Sequence, residues 1–179
     1  HPTFNGDWIL PKYSSGIASI EKLIEDMDKS NISHAIACGM KDIGGYDSIE
    51  YSKLISKHSD RLFAVAFCDF EGIHNVKKYL VEIKKLGYIG IKIHPRISAI
   101  TLKDSLVNEV IKYCKELDLI VFLCTYFYST AISSSENNPE SLVKLLAKTY
   151  PAKIVLVHSG AVRLLEFMEI ARAFDNVLL

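Results

Sequence analysis

The sequence predicts an α/β fold with parallel strands, for three reasons. Apolar runs of strand length alternate with helix-like segments at a spacing of about 25 to 33 residues. No two of these runs are joined by a short hairpin turn. Polar residues recur where successive strands end, at Asp69, His94, Thr125 and His158. Because polar groups from many strand ends converge on one mouth in a barrel, the expected architecture is a TIM-type (β/α)8 barrel.

An open doubly wound sheet is the alternative architecture that the same alternation allows. Such a sheet, when it binds a nucleotide, carries a glycine-rich phosphate loop after an early strand. Neither the G-x-G-x-x-G pattern nor the P-loop pattern occurs in this chain. The sequence therefore favours the barrel, and the order of the strands in a structure decides between the two.

The first half of the chain begins with a loop-like stretch and then alternates between helices and strands. Residues 1–16 contain prolines and glycines, which predicts a loop. Apolar residues recur at helical spacing from Ile17 to Met27, with charged residues on the opposite side. We then expect strands over residues 33–40, 62–68 and 89–94, and helices over residues 48–57 and 75–86.

The second half of the chain continues the same alternation. The run 154–157 is apolar at every position, which is typical of a parallel strand that is covered on both faces. Pro139 suits the first turn of a helix, where no helical partner exists for an N–H group. We expect helices over residues 106–117, 139–149 and 162–174, and strands over residues 119–125, 154–157 and 176–179.

The number of strands predicts that the barrel is incomplete. A complete barrel has eight strands and about 250 residues, whereas the sequence contains six strand-like runs. The first strand is expected before His1 and the eighth after Leu179, so that residues 1–179 form a single barrel domain with strands two to seven visible. Exposed strand edges promote association, so we expect a longer functional polypeptide and a homo-oligomer.

Composition narrows the classes of partner. Lys plus Arg equals Asp plus Glu at 21 each, and no basic run is present, which argues against nucleic acid and anionic membrane surfaces as partners. No apolar run approaches the roughly 20 residues that span a bilayer. The four cysteines form no C-x-x-C pair, as is typical of reduced cysteines in a cytoplasmic protein. The expected partner is a small-molecule substrate.

His158 is the first candidate for a functional residue. It follows a buried strand and precedes Ser159 and Gly160, where α/β proteins place their chemistry. An imidazole at this position can bind a metal, carry a proton or polarise a carbonyl group. The alternative is a core histidine that hydrogen-bonds a neighbouring carbonyl.

Lys92 and His94 alternate with Ile91 and Ile93, so they lie on one face of a strand and the isoleucines lie on the other. The isoleucines suit the helix-facing side, which leaves Lys92 and His94 inside the barrel. A lysine there needs a carboxylate, a bound anion or a metal as its partner. The alternative is a structural ion pair, for example with Asp69 on the preceding strand.

Two passages resemble the amidohydrolase superfamily, in the branch of amidohydrolase-related, metal-dependent hydrolases that includes decarboxylases of aromatic and unsaturated acids. The passage 90–95 (GIKIHP) resembles the fourth-strand motif of that branch. The passage 153–160, followed by Arg163 and Glu166, resembles its sixth-strand histidine segment and helix. The order of elements fits this branch across essentially the whole chain.

The resemblance implies a divalent metal, most often zinc, at the C-terminal mouth of the barrel. His158 would be a ligand, and His1 would end the first-strand H-x-H motif of the family. The usual fifth-strand histidine is absent near Cys124, so Cys124 or His94 would replace it, or this member has lost the metal. The expected metal ligands are therefore His1, His94 and His158, the latter also being catalytic.

The expected function is hydrolysis of a small amide, ester or lactone by a metal-activated water. His158 and Lys92 are the expected catalytic residues, and Thr125, Tyr126 and Arg163 are expected to bind the substrate. Two alternatives stay open: a metal-dependent decarboxylase of an aromatic or unsaturated carboxylic acid, and a non-catalytic barrel that has lost its metal and binds a small ligand or a partner protein.

Overall fold

A computed structural model describes residues 19–41, 46–127 and 136–179. The strands are β1 (Ala35–Cys38), β2 (Leu62–Phe67), β3 (Gly90–Ile93), β4 (Ile120–Cys124), β5 (Ile154–Val157) and β6 (Val177–Leu178). The helices are α1 (Ile20–Lys29), α2 (Ser48–Ser56), α3 (Val76–Lys85), α4 (Ser105–Glu116), α5 (Pro139–Thr149) and α6 (Leu164–Ala173). Every strand and helix expected in these ranges forms, most of them a residue or more shorter than predicted.

The ends of the helices follow local sequence signals. Ser19 begins α1, because its hydroxyl accepts a hydrogen bond from the backbone N–H of Lys22 at 3.1 Å. Pro139 lies in the first turn of α5, as predicted. Gly87 follows α3 with a φ of 85°, a left-handed conformation that glycine adopts without steric cost.

The order of the strands decides the architecture. The described residues form a parallel sheet of six strands in the order β1-β2-β3-β4-β5-β6, so each strand pairs with its neighbour in sequence. A doubly wound sheet reverses its strand order at a switch point, and no reversal occurs here. The prediction of barrel strands is therefore confirmed, and the doubly wound alternative is wrong.

The two faces of the sheet differ in chemistry. Ile91 and Ile93 belong to the apolar core between the sheet and the helices, as predicted. Lys92 lies on the opposite face, because side chains alternate along a strand. It pairs in register with Phe67 of β2 and Phe122 of β4, so these three side chains form one layer of the concave face.

The concave face is covered unevenly across the sheet. Lys92, near its centre, is only 8% exposed, whereas Ile36 on β1 is 50% exposed and Leu178 on β6 is 66% exposed. Among the described residues, the sheet is therefore open at β1 and β6, and its interior apolar residues reach solvent there.

Two further sequence predictions concern the chain as a whole. All four cysteines are free, and three of them are buried, which confirms that they form no disulfide. In the described ranges, no helix combines the length and the apolar character that a membrane crossing requires.

Candidate active site

Polar side chains gather where β3, β4 and β5 end. His94 follows the last residue of β3, Tyr126 comes shortly after β4, and His158 directly follows β5. The rings of Tyr126 and His158 lie 6.3 Å apart, edge to face. Lys92 influences the ionisation of both histidines by its positive charge. The sequence-based expectation that these strand ends converge is met for this group of residues.

His94 is the most deeply buried of these groups, at 3% exposure. Burial lowers its pKa to about 3, and the positive charges of Arg96 and Lys92 and the neighbouring His158 add to the effect. Its Nδ1 atom is buried and has no hydrogen-bond partner. His94 is therefore a neutral imidazole near pH 7, with one buried ring nitrogen that lacks a hydrogen-bond partner.

His158 is exposed to solvent, whereas His94 is buried. Its pKa lies below the ordinary value because of partial burial and the positive charges of Lys92 and Arg96. A neutral, accessible imidazole at neutral pH is suited to accept a proton.

His158 begins a left-handed turn of the backbone. The φ angles of His158, Ser159, Gly160 and Ala161 are 72°, 48°, 71° and 50°. A left-handed conformation costs an L-residue about 1–2 kcal/mol, and only Gly160 escapes that cost. Backbone strain of this kind is concentrated at functional sites, where the surrounding structure holds it in place.

Thr125 stabilises this turn from the neighbouring strand. Its side chain is fully buried, and its hydroxyl donates a hydrogen bond to the carbonyl of Val157 at 2.7 Å. The same oxygen accepts a hydrogen bond from the N–H of Gly160 at 2.9 Å. The two hydrogen bonds thus join Thr125 to the chain just before His158 and to the chain two residues after it. That Thr125 binds substrate stays a prediction, and the structure gives its hydroxyl this intramolecular role.

Arg96 is a member of the site that sequence reasoning missed. Its guanidinium carbon lies 4.7 Å from the centre of the Tyr126 ring, a cation–π contact. The signal was its spacing, because Arg96 continues the alternation of Lys92 and His94 by two more residues. Pro95 ends the strand pattern between them, which hid this continuation.

Two predicted site residues remain, Arg163 and His1. Arg163 forms an ion pair with Glu166 at 2.7 Å and lines a groove of about 500 Å³ between α5 and α6. His1 lies outside the described residues. Binding of substrate by Arg163 and of metal by His1 stay predictions.

Asp69, the ion-pair partner suggested for Lys92, pairs with a different lysine. The carboxylate of Asp69 pairs with Lys41, at 3.1 Å. Lys41 also binds Glu71, at 3.0 Å, so both acids are neutralised from β1's side of the mouth. The alternative reading of Lys92 as the ion-pair partner of Asp69 is therefore wrong.

The described residues do not fit a metal ion by themselves. Within ranges 19–41, 46–127 and 136–179, no three His, Cys, Asp or Glu side chains are grouped so that they could hold one. A catalytic zinc usually has three protein ligands, and His94 and His158 are only two. The positive charges of Lys92 and Arg96 beside these two histidines oppose the binding of a metal cation. Proton transfer and the binding of negative charge are what these residues support.

Comparison with a family model agrees with the motifs at β3 and β5. Residues 49–179 match the family described as Amidohydrolase. The chain belongs to the amidohydrolase family. The resemblance predicted from residues 90–95 and 153–160 is thereby confirmed, and this family generally uses divalent metals. No curated protein matches the chain.

Solved structures resemble this amidohydrolase chain in fold. An uncharacterised TIM-barrel protein from Bordetella bronchiseptica has a TM-score of 0.73 at 17% identity, with 89% of this chain and 58% of that chain covered. A probable 2-pyrone-4,6-dicarboxylic acid hydrolase from Acinetobacter baumannii, solved with citric acid bound, has a TM-score of 0.57 at 17% identity, over 86% and 56% of the two chains. IDCase from Metarhizium anisopliae has a TM-score of 0.52 at 16% identity, over 80% and 47%. The chain thus spans little more than half the length of the first two structures.

Proposed function

We propose that this chain carries active-site residues of a hydrolase that acts on a small amide, ester or lactone. The observation that carries the proposal is His158, a neutral imidazole held in a strained turn at the mouth of the barrel beside two positive side chains. Membership of the amidohydrolase family and a structural neighbour described as a hydrolase support it.

The residues suggest a simple sequence of steps. The imidazole of His158 takes a proton from a water molecule as the water oxygen bonds to the substrate's carbonyl carbon. The carbonyl oxygen becomes negative, and the positive charges of Lys92 and Arg96 favour that change. When the tetrahedral intermediate collapses, the bond to the leaving group breaks, and the imidazolium returns its proton to the leaving amine or alcohol.

The test compares His158→Asn with the unaltered protein on a panel of small lactones, esters and amides. Asparagine is preferred to alanine because it tolerates the left-handed backbone that position 158 adopts. We expect kcat to fall by about 10²- to 10⁴-fold, while the exposed control His74→Asn stays within about twofold. Turnover of every substrate unaffected by His158→Asn would contradict the proposal, and a changed affinity without any turnover would indicate a binding protein.

Decarboxylation is the second candidate, because the buried ammonium of Lys92 would stabilise the negative charge left when carbon dioxide departs. A decarboxylase, IDCase, is among the structural neighbours, as is a hydrolase. Incubation with aromatic and unsaturated carboxylic acids separates the two functions. Release of carbon dioxide without hydrolysis of any ester, lactone or amide would favour the decarboxylase.

Zinc stays a prediction from the family resemblance, and it requires ligands beyond the described residues, with His1 the first of them. Elemental analysis of the purified protein tests it directly. One zinc per chain, lost in a His1→Asn variant, would support it. A metal-free protein whose activity survives chelators would contradict it and leave the roles of His158 and Lys92 in place.

A further inference from the structure

The side chain of Asn137 joins two connections at the mouth of the barrel. Asn137 lies between β4 and α5, directly before Asn138, whose side chain caps α5. The Oδ1 atom of Asn137 accepts a hydrogen bond from the N–H of Leu102 at 2.8 Å, and its Nδ2 atom donates one to the carbonyl of Ile100 at 3.2 Å. Ile100 and Leu102 belong to the connection between β3 and α4. One amide thus bonds an N–H and a carbonyl of a segment that lies 35 to 37 positions earlier in the chain.

Burial makes these two hydrogen bonds costly to lose. Asn137 is only 1% exposed, and Leu102 is buried in the apolar core. Because water does not reach the amide, its removal would leave a buried N–H without a partner, which a folded protein rarely tolerates. An ion pair between Lys103 and Glu136 spans the same two connections, but both side chains are exposed, so it contributes little. The buried amide is therefore the contact that holds the two connections together.

The segment that Asn137 holds contains a strained residue. Ala99 directly precedes Ile100 and has a φ of 50°, in the left-handed region. Such a backbone is unfavourable for alanine and persists only where the surrounding structure enforces it. The hydrogen bond from Asn137 to the next carbonyl along the chain is one such constraint.

The strained segment folds back on the strand end that carries part of the candidate site. The N–H of Ser98 donates a hydrogen bond to the carbonyl of His94 at 3.0 Å. The N–H of Ile100 donates one to the carbonyl of Pro95 at 3.1 Å. Arg96 lies inside this turn. Backbone hydrogen bonds therefore link the residues that the amide holds to the residues at the end of β3.

We propose that Asn137 is a positioning residue, which holds the turn 94–102 so that His94 and Arg96 keep their places at the mouth. Without the amide, the strain at Ala99 is no longer opposed and the turn loosens. The consequence for catalysis rests on the proposed function, in which the positive charge of Arg96 favours the negative carbonyl oxygen. The effect on the turn does not depend on any substrate and is measured separately.

Amide hydrogen exchange of the full chain, followed by NMR, measures the turn directly. Asn137→Leu keeps the size of the side chain and removes both hydrogen bonds. In this variant the N–H groups of Ser98 and Ile100 should exchange at least 10-fold faster, relative to that of Val121 in the middle of the sheet. Neither of the two N–H groups bonds Asn137, so their faster exchange would report the loosening of the whole turn.

The NMR signals of the His94 imidazole measure whether the site follows the turn. They should move in Asn137→Leu, because the backbone that presents His94 is no longer held. For the lactone, ester or amide that the unaltered protein hydrolyses, kcat should fall about 10-fold in this variant, while KM changes less than about threefold.

Asn176→Leu is the matched control. Asn176 also donates a side-chain hydrogen bond to a backbone carbonyl, that of Ala152, but it does so at the opposite end of the sheet. Exchange at Ser98 and Ile100 should stay within about twofold in this control, and so should kcat. The imidazole signals of His94 should stay in place.

Asn137→Asp tests the inference if Asn137→Leu fails to fold, because its side chain has nearly the same shape. An ionised carboxylate accepts a hydrogen bond from the N–H of Leu102 but has none to donate to the carbonyl of Ile100. Exchange at Ser98 and Ile100 should therefore rise about 3- to 10-fold, while the N–H of Leu102 keeps its protection.

Three outcomes would overturn the inference. Faster exchange at Leu102 alone would mean that the amide protects only its own partner. Equal acceleration at Val121, or in Asn176→Leu, would mean a general loss of stability. Unmoved His94 signals would mean that the turn does not position the site. A loosened turn and moved His94 signals, in a protein that hydrolyses no substrate, would instead uphold the role of Asn137 and count against the proposed function.

Discussion

At the scale of single residues, one hydroxyl joins the ends of two strands around the candidate catalytic histidine. Thr125 bonds the carbonyl before His158 and the N–H two residues after it. Its hydroxyl is shielded from solvent and bonds backbone groups, so its effect on chemistry is indirect. We expect Thr125 to be a positioning residue, which fixes the direction in which the imidazole leaves the backbone.

Thr125→Val removes both hydrogen bonds at nearly constant volume, whereas Thr125→Ser keeps them. We expect Thr125→Val to destabilise the fold by about 1–3 kcal/mol, since the N–H of Gly160 loses its partner and the Val157 carbonyl keeps only the backbone N–H of residue 125, and to lower kcat more than it raises KM. The pKa of His158, followed by NMR, should also change, and Thr125→Ser should restore it. Thr149→Val is the control, because Thr149 is also buried and bonds the carbonyl of Leu145. A Thr125→Val protein with unaltered His158 titration would refute the positioning role.

The ionisation of His94 predicts a loss of stability in mild acid. Burial and the charges of Arg96, Lys92 and His158 hold its folded pKa at about 3, below the ordinary 6.5. Between these values the unfolded chain binds more protons, so stability is fully present above pH 6.5 and falls as the pH drops towards 3. One proton changes the free energy of unfolding by at most about 1.4 kcal/mol per pH unit.

Urea unfolding of His94→Gln between pH 7 and pH 4 measures this contribution. In this variant the free energy of unfolding should depend less steeply on pH, by the equivalent of up to one proton. His74→Gln, at an exposed position, should match the unaltered protein. Identical slopes for His94→Gln and the unaltered protein would show that His94 is protonated equally in both states.

At the scale of elements, the turn between β5 and α6 depends on one glycine. Gly160 has a φ of 71°, and a Cβ atom there would lie 2.1 Å from the ring of Phe167, which is buried in the core. The turn can therefore neither accept a side chain at this position nor move away without displacing α6.

Gly160→Ala should destabilise the protein by about 2–4 kcal/mol, since it adds backbone strain to overpacking. Gly72→Ala is the control, because a Cβ atom there has no neighbour within 4 Å. Its free energy of unfolding should change by less than about 1 kcal/mol. Chemical denaturation of both variants provides the measurement, and equal stabilities would contradict the steric argument.

The elements themselves could be predicted from local patterns. The alternation in β3 assigned Lys92 and His94 to one face and the isoleucines to the other, because the period of a strand is independent of its context. The pairing of Asp69 with Lys41 depends on which strand ends come together, and the left-handed turn after β5 depends on Phe167 and Thr125. These features are set by residues distant in sequence, so no local pattern contains them.

At the scale of the whole molecule, the open sheet predicts association. Ile36 and Phe63 pair across β1 and β2 on the concave face and are 50% and 40% exposed. Apolar residues beside an unpaired strand edge are a common contact between chains. We expect light scattering on this 179-residue chain to give a mass above 20.1 kDa that rises with concentration.

A lysine at the edge should reduce that association. Ile36→Lys should shift the mass towards 20.1 kDa, because edge lysines oppose the pairing of strands from two chains. Ser56→Lys, on the exposed side of α2, adds the same charge away from the edge and should leave the mass unchanged. A monodisperse monomer for the unaltered chain at high concentration would contradict this expectation.

The sequential order of the strands also bears on how the chain folds. Paired strand residues are separated by 23 to 33 positions throughout the sheet, so the entropy of closing each connection differs by only about 0.3 kcal/mol. Loop closure therefore does not select the first pair to form. The burial of apolar side chains selects it instead, and four side chains of α4, the helix that connects β3 and β4, are completely buried. Pulse-labelling hydrogen exchange should find β3, α4 and β4 protected first, with protection spreading outward one strand at a time to β1 and β6.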